Sequence, residues 1–300
     1  MNERTVGIVG LGLVGQALAA RLRAQGWRTI GHDVRPEAVA AFAAAGGEAA
    51  SSTGDVGRLA QTVLLAVFDT AGVLQVLEGA GGLLGPGHQV RTVIDCSTGD
   101  PDQLAALGRR LAAQHIDLVE APLSGSSQQI GAGKATALVG GSDAAVQACG
   151  PLLQAVAARS VHVGPPGMGA RAKLATNLVL GLNRAAFAEG LAFAEALGIP
   201  PDRFLQLVLA TPARSDAAAV KGPQMVANDF APRSRIRQHL KDLDLMLAGA
   251  HGHGLDLPLT AVHAQLLREA VADGDGDLDN AAVVRRLRGR RRSSANDPDA

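Results

Sequence analysis

Short apolar runs alternate with longer stretches of helical periodicity through the first half of the chain. Thr5–Val9 reads as a strand, followed by a glycine-rich turn and a helix from about Leu13 to Gln25. Trp27–His32 is the next strand and Pro36–Ala45 the next helix. Further strand-length apolar runs fall at Thr62–Val67, Thr92–Asp95, Asp117–Ala121, Ala135–Val139 and Ser160–Val163, with helical segments between most of them. This alternation predicts an α/β domain built on a mostly parallel, doubly wound sheet of Rossmann type.

After Gly164-Pro165-Pro166-Gly167 the strand pattern stops. Met168–Leu197 keeps a helical period over about 30 residues, far beyond an average helix. Shorter helices are expected at Asp202–Leu209, Ser215–Val226, Arg233–Ala250, Pro258–Ala272 and Asn280 to about Arg288. The reading is a Rossmann-type domain over residues 1–165, an all-helical C-terminal domain over 166–288 and a disordered tail over 289–300. The long helix from Met168 starts at the expected domain junction, where pockets tend to form.

Composition narrows the class. The 300 residues are 47% hydrophobic and 19% charged, which excludes wholesale disorder. Formal net charge is +0, without the basic excess of a dedicated nucleic-acid binder. Six arginines between Arg285 and Arg292 read as a solvated helix end favoured by the dipole. No run reaches the ~18 apolar residues of a membrane span. Val6–Ala20 has the apolarity of a secretory signal, but Gly7, Gly10, Gly12 and Gly15 would weaken such a helix. Two cysteines, Cys96 and Cys149, make no disulfide framework, so a reducing, cytoplasmic setting is expected. The chain has no tyrosine, which removes any mechanism with a tyrosine acid.

The glycine turn carries the first chemistry. Gly10-Leu11-Gly12-Leu13-Val14-Gly15 is a G-x-G-x-x-G run that follows a strand and opens a helix. Gly10 permits the tight turn, Gly12 lets a pyrophosphate reach the backbone, and Gly15 lets helix and strand pack closely. The helix N-terminus offers N–H groups to the phosphates. Asp33, at the end of the second strand and 18 residues beyond Gly15, suits the ribose hydroxyls and disfavours a 2′-phosphate. NAD is therefore expected, with NADP left open by neighbouring Arg35. His251 and His253 lack partners at metal-ligand spacing, and no metal is implied.

Three further motifs follow in order: Asp95-Cys96-Ser97-Thr98-Gly99-Asp100-Pro101, Glu120-Ala121-Pro122-Leu123-Ser124-Gly125-Ser126, and Gly167-Met168-Gly169 leading to Lys173 and Asn177. Lys241-Asp242-Leu243 comes later. With the glycine run, these make residues 5 to about 287 resemble the β-hydroxyacid dehydrogenase family, which includes 3-hydroxyisobutyrate dehydrogenase and tartronate semialdehyde reductase. The resemblance implies an oxidoreductase moving a hydride between NAD(P) and a small β-hydroxy acid or its semialdehyde. It assigns acid/base work to Lys173. It places Ser124, Gly125, Ser126 and Asn177 on the substrate carboxylate or hydroxyl, and Val67, Phe68, Thr98 and Lys241 beside the cofactor.

The residues agree with these roles. Lys173 and Asn177 are spaced i, i+4 and share a helix face. A lysine starts near pKa 10.4 and would have to fall toward roughly 7–8 to act as a base. Ser124 offers a hydroxyl, while Gly125 and Ser126 offer backbone N–H groups. Taken alone, Lys241 reads as an exposed helix lysine. The family's leading aspartate in the third motif is Glu120 here, and its second glycine is Ser126. A homo-oligomer, dimer or tetramer, is expected from the long apolar helix and from the family. The alternatives are an NADPH-dependent imine reductase, whose members usually replace the lysine by aspartate or tyrosine, and a non-catalytic NAD(P)-binding protein. The intact Lys173 opposes both.

Overall fold

The structure, a computed structural model, describes residues 4–289. The arginines from Arg290 onward lie outside those residues, as does all of the expected tail except Gly289, which ends a helix. The chain divides into two compact units, Met1–Ala175 and Thr176–Ala300.

The first unit is a nine-stranded sheet with helices. Its strands are β1 (Thr5–Val9), β2 (Arg28–His32), β3 (Glu48–Ala49), β4 (Thr62–Leu65), β5 (Thr92–Asp95), β6 (Asp117–Glu120), β7 (Leu123–Ser124), β8 (Thr136–Gly140) and β9 (Arg159–Gly164). They are ordered β3-β2-β1-β4-β5-β6-β8-β7, with β9 also paired to β8. The pairs from β3 to β6 are all parallel, giving the doubly wound order whose reversal point lies beside β1. β8 runs antiparallel to β6 and β7.

Alternation along each strand sorts the core into two layers. Val6, Ile8, Leu64, Ile94 and Val119 join one cluster, and Val9, Val63, Leu65, Val93 and Leu118 the other. The helices of this unit are α1 (Leu13–Ala24), α2 (Pro36–Ala44), α3 (Thr53–Leu59), α4 (Thr70–Glu78), α5 (Pro101–Ala112), α6 (Ser127–Gly131), α7 (Asp143–Ala148) and α8 (Gly150–Val156). Several begin at a capping side chain that satisfies an orphan N–H: Ser52 on Asp55, Asp69 on Gly72, Ser142 on Ala145.

The expected strand Thr62–Val67 ends at Leu65. The Ala66 N–H still reaches the Val9 oxygen (2.9 Å), and the Val67 N–H turns away to the Ser97 hydroxyl (3.1 Å). The two-residue strands β3 and β7 lack an apolar run of their own.

The 29-residue helix α9 (Met168–Ala196) has its first two turns in the first unit and the remainder in the second. The second unit continues with α10 (Pro201–Ala210), α11 (Asp216–Ala227), α12 (Ile236–Gly252), α13 (Pro258–Ala272) and α14 (Val283–Gly289), with two short 3-10 turns before α14. Phe187, Leu191, Met225, Ile236, Leu243, Met246 and Leu267 are buried in it. Asp279 organises the segment entering α12. Its carboxylate accepts from Lys221 Nζ (2.7 and 2.9 Å) and from the N–H groups of Arg233, Ser234 and Ala281 (3.0 Å each). No helix among the described residues is long and apolar enough to cross a membrane.

Candidate active site

The glycine turn has the geometry its spacing predicts. Gly10 has φ +92°, and a Cβ there would lie 2.4 Å from the Ala66 carbonyl oxygen. A Cβ on Gly15 would fall 1.9 Å from the Gly10 oxygen. Gly12 differs: a Cβ there would meet only Arg35 Nη2, at 3.7 Å. The protein's own packing therefore requires glycine at 10 and 15 but leaves space at 12. That space lies at the N-terminus of α1, where no side chain caps the first turn. Leu13 and Val14 open that turn, so the residues present fit a pyrophosphate on the helix end.

Asp33 anchors the same turn. Its Oδ2 accepts from the Leu11 N–H at 2.7 Å, and its Oδ1 accepts from the Arg35 N–H at 2.9 Å. Arg35 also closes on it through Nε and Nη2, both at 3.0 Å. Burial pushes the Asp33 carboxyl up, but the hydrogen bonds from Arg35 and Leu11 outweigh it and leave it below its ordinary value. Val67 and half-exposed Phe68 lie just beyond β4, and Thr98 is buried in the turn after β5. There Asp95 Oδ1 accepts from the Ser97 N–H at 2.9 Å.

The third and fourth motifs meet in the first unit. Glu120, at the end of β6, accepts at Oε1 from the Ala170 N–H (2.9 Å) and at Oε2 from the Gly167 N–H. It thereby caps the helix that carries Lys173. Burial is the largest influence on this carboxyl and, with the charge of Asp95, raises it to about 7 against those N–H groups. Gly140 and Gly169 make room for it, since a Cβ on either would approach Glu120 within 3 Å.

Lys173 lies two turns into α9 and is 7% exposed. Its Nζ donates to the Leu123 carbonyl oxygen at 2.7 Å, which sets the amine against the residue preceding Ser124. Gly125 has φ +154°, a conformation that favours glycine. Ser126 is the N-cap of α6 in a reciprocal box with Gln129. Gln129 Oε1 accepts from the Ser126 N–H at 2.8 Å, so that N–H is not the open donor expected from the sequence. The Ser126 hydroxyl accepts from the Gln129 N–H and keeps its own proton to donate.

The second unit holds the other two expected residues. Asn177 is buried, and its Nδ2 donates to Asp242 Oδ2 at 3.1 Å. Lys241 is largely buried and pairs with Asp242 Oδ1 at 3.1 Å, contrary to the exposed lysine that its helix position suggests. Asp242 thus joins two expected site residues, although the sequence reading gave it no role beyond its place in Lys241-Asp242-Leu243. The signal was present in the Lys-Asp pair itself.

Comparison with known proteins identifies the family to which the chain is similar. Residues 5–164 match the family model of the NAD binding domain of 6-phosphogluconate dehydrogenase. Residues 167–287 match the model described as NAD-binding of NADP-dependent 3-hydroxyisobutyrate dehydrogenase. L-threonate dehydrogenase of Cupriavidus necator is 30% identical, covering 94% of this chain and 96% of its own. 2-(Hydroxymethyl)glutarate dehydrogenase of Eubacterium barkeri is 30% identical over 93% of each chain. The crystal structure of 3-hydroxyisobutyrate dehydrogenase from Salmonella typhimurium superposes with a TM-score of 0.85 at 30% identity, covering 94% of this chain and 99% of that one. The chain belongs to the β-hydroxyacid dehydrogenase family. It is an NAD(P)-dependent oxidoreductase acting on the CH–OH group of small hydroxy acids.

Proposed function

We propose that Lys173 is the general acid/base of this oxidoreductase and that Ser124, Gly125 and Ser126 hold the substrate carboxylate. The observation that carries the reading is the Lys173 Nζ to Leu123 oxygen hydrogen bond, which fixes the amine one residue from Ser124. A lysine amine in its neutral form carries a lone pair beside its N–H donors. In the oxidative direction the lone pair takes the hydroxyl proton while a hydride leaves the carbinol carbon. In the reductive direction the ammonium returns that proton to the carbonyl oxygen. The nicotinamide, when bound, supplies hydride exchange with that carbon. Ser124 and Ser126 donate from their hydroxyls and Gly125 from its N–H, and Asn177 bridges the substrate's oxygens.

Gly10, Leu11, Gly12, Leu13, Val14, Gly15 and Asp33 are assigned to the dinucleotide, with Val67, Phe68, Thr98 and Lys241. NAD is the favoured form, because the ionised Asp33 opposes a 2′-phosphate. L-threonate and 2-(hydroxymethyl)glutarate, named for two relatives, head the substrate panel. A homo-oligomer is supported by apolar side chains left exposed on α9 (Val179 and Phe193), just past its end (Leu197) and on α13 (Leu259 and Val262). The free, buried Cys96 and Cys149 fit a cytoplasmic setting.

The test is a panel of hydroxy acids scored by reduced-nicotinamide absorbance with both cofactors, using wild type and Lys173→Ala. Turnover on at least one acid that is lost in Lys173→Ala is expected. Equal activity in the two proteins would overturn the assignment.

A further inference from the structure

The ladder between β4 and β5 ends with Leu65 opposite Asp95, and one more backbone bond runs from the Cys96 N–H to the Leu65 oxygen (2.8 Å). Beyond it the two chains part toward α4 and α5. Two amides there need acceptors that the sheet does not supply. Side chains supply them crosswise. The Ser97 hydroxyl, in the turn after β5, accepts from the Val67 N–H at 3.1 Å. The Thr70 hydroxyl, at the end of the turn after β4, accepts from the Asp100 N–H at 2.7 Å. Each turn gives one hydroxyl and takes one. Both hydroxyl residues are buried, Ser97 at 5% and Thr70 at 6% exposure, where an amide that lost its acceptor is costly.

The local sequence is fitted to this pair of bonds. A Cβ on Gly99 would fall 2.5 Å from Thr70 Oγ1, so glycine there lets the threonine hydroxyl reach across to the next amide. Asp95 Oδ1 accepts from the Ser97 N–H at 2.9 Å and sets the backbone from which the serine hydroxyl is offered. Asp69 caps α4 on the Gly72 N–H (2.8 Å), and Asp100 caps α5 on the N–H groups of Asp102 and Gln103 (2.9 and 3.0 Å). The cross-bonds therefore join two turns whose outgoing helices are each capped.

The residues between the bonds matter most. Phe68 stands between Val67 and Thr70 on one turn, and Thr98 between Ser97 and Asp100 on the other. Each is held on both sides. Sheet order gives the two turns their place: β2, which leads to Asp33, flanks β1 on one edge, and β4 then β5 follow on the other. With Asp33 on the adenosine ribose, the turns after β4 and β5 fall to the nicotinamide half of a dinucleotide.

We propose that Thr70 and Ser97 are positioning residues, whose hydroxyls lock the Val67–Phe68 turn to the Thr98 turn and so set the wall that receives the nicotinamide half before it binds. The proposal rests on the assignment of Val67, Phe68 and Thr98 to the cofactor. Neither hydroxyl touches the cofactor in it. The gain is preorganisation: turns already fixed lose less freedom when the ligand arrives.

The test uses the full-length protein, wild type, Thr70→Val and Thr70→Ser, without hydroxy acid. Valine keeps the shape of threonine and removes the acceptor. The ligands are NADH or NADPH, whichever the wild type binds more tightly, and the matching ADP-ribose or its 2′-phosphate, which lacks the nicotinamide. Fluorescence titration reads the first and calorimetry the second. Thr70→Val is expected to bind the reduced dinucleotide about tenfold more weakly, and the ADP-ribose compound within about threefold of wild type. Thr70→Ser, which restores the acceptor, is expected to return dinucleotide affinity to within about threefold. Hydrogen exchange on the cofactor-free protein reads the lock itself. The Val67 and Asp100 amides of the wild type are expected to be protected, and Thr70→Val to speed exchange at Asp100 by about tenfold or more.

Unchanged dinucleotide affinity in Thr70→Val, equal weakening of both ligands, or a serine variant no better than the valine one would each overturn the proposal. Unprotected Val67 and Asp100 amides in the wild type would overturn it without any variant. Phe68→Ala separates the lock from the assignment beneath it and is expected to weaken dinucleotide binding as well. Weaker binding in Phe68→Ala beside unchanged binding in Thr70→Val overturns the lock alone. Unchanged binding in Phe68→Ala overturns the cofactor assignment of that turn, and the proposal with it.

Discussion

Lys173 Nζ lies 2.7 Å from the carbonyl oxygen of Leu123, so the amine of one motif is tied to the backbone of another, fifty residues earlier. The bond fixes where a proton is held relative to Ser124. Lys173→Met, which keeps the apolar stem, is expected to lower kcat by about 10²–10⁴-fold, the usual worth of a positioned acid/base group. Cofactor affinity is expected to stay within about threefold. Steady-state kinetics and fluorescence titration with the dinucleotide check the two halves. A loss confined to KM would instead mark Lys173 as a binding residue.

Gly15 and Gly12 of the first turn are expected to separate in their effects. A Cβ on Gly15 would sit 1.9 Å from the Gly10 oxygen, in backbone that cannot yield cheaply. Gly15→Ala is therefore expected to destabilise the protein by about 1–3 kcal/mol, read as a lower Tm without cofactor. Gly12 has φ −76° and room for a methyl group. Gly12→Ala is expected to leave the cofactor-free Tm within about 1 °C, because such sites shift stability little. Its dinucleotide affinity is expected to fall about tenfold or more, since the methyl group occupies space meant for the pyrophosphate. A lowered Tm without a binding defect in Gly12→Ala would contradict this.

Glu120 makes stability depend on pH in a direction opposite to most carboxylates. Its folded pKa of about 7 lies above the ordinary 4.5. Between those values the folded chain holds a proton that the unfolded chain has released, so the stabilisation is full below about 4.5 and is lost as pH rises through 7. The effect is on the order of 3 kcal/mol. Chemical denaturation from pH 5 to 8 is expected to show this decline, and Glu120→Gln to flatten it. The variant is also expected to be less stable at pH 5, because one amide oxygen cannot serve both the Gly167 and the Ala170 N–H. A wild-type profile as flat as that of the variant would contradict it.

Much of this was legible along the chain, for reasons the structure makes concrete. β1, β5 and β6 centre on buried branched apolar residues, which period and flanking turns reveal. Lys173 and Asn177 stood out because i, i+4 spacing puts them on one helix face. β3 and β7 were not legible, since two-residue strands exist only through the neighbour they pair with. Ser126 illustrates a different limit: its N–H is spent on Gln129 three residues later, a local competition that a motif read for ligand contacts passes over. Lys241 and Asp242 lie in an amphipathic helix whose buried face depends on partners distant in sequence.

Cofactor choice depends on how Asp33 and Arg35 hold one another. Both oxygens of Asp33 are engaged by Leu11 and Arg35, and the half-exposed guanidinium of Arg35 is drawn onto the carboxylate instead of facing outward. The negative charge at the end of β2 opposes a 2′-phosphate, while the arginine that could bind one is neutralised in place. Asp33→Ser removes the charge and frees the arginine together. It is expected to lower the NAD to NADP ratio of kcat/KM by about tenfold or more, the effect of exchanging a like-charge contact for an arginine–phosphate one. Arg35→Ala is expected to move the ratio the other way, because it strips the carboxylate of its cation and leaves the phosphate no donor. Both ratios come from initial rates with the two cofactors at a fixed hydroxy acid. A shift of the same sign in the two variants would show that the pair works as a structural clamp on the turn, and that discrimination lies elsewhere.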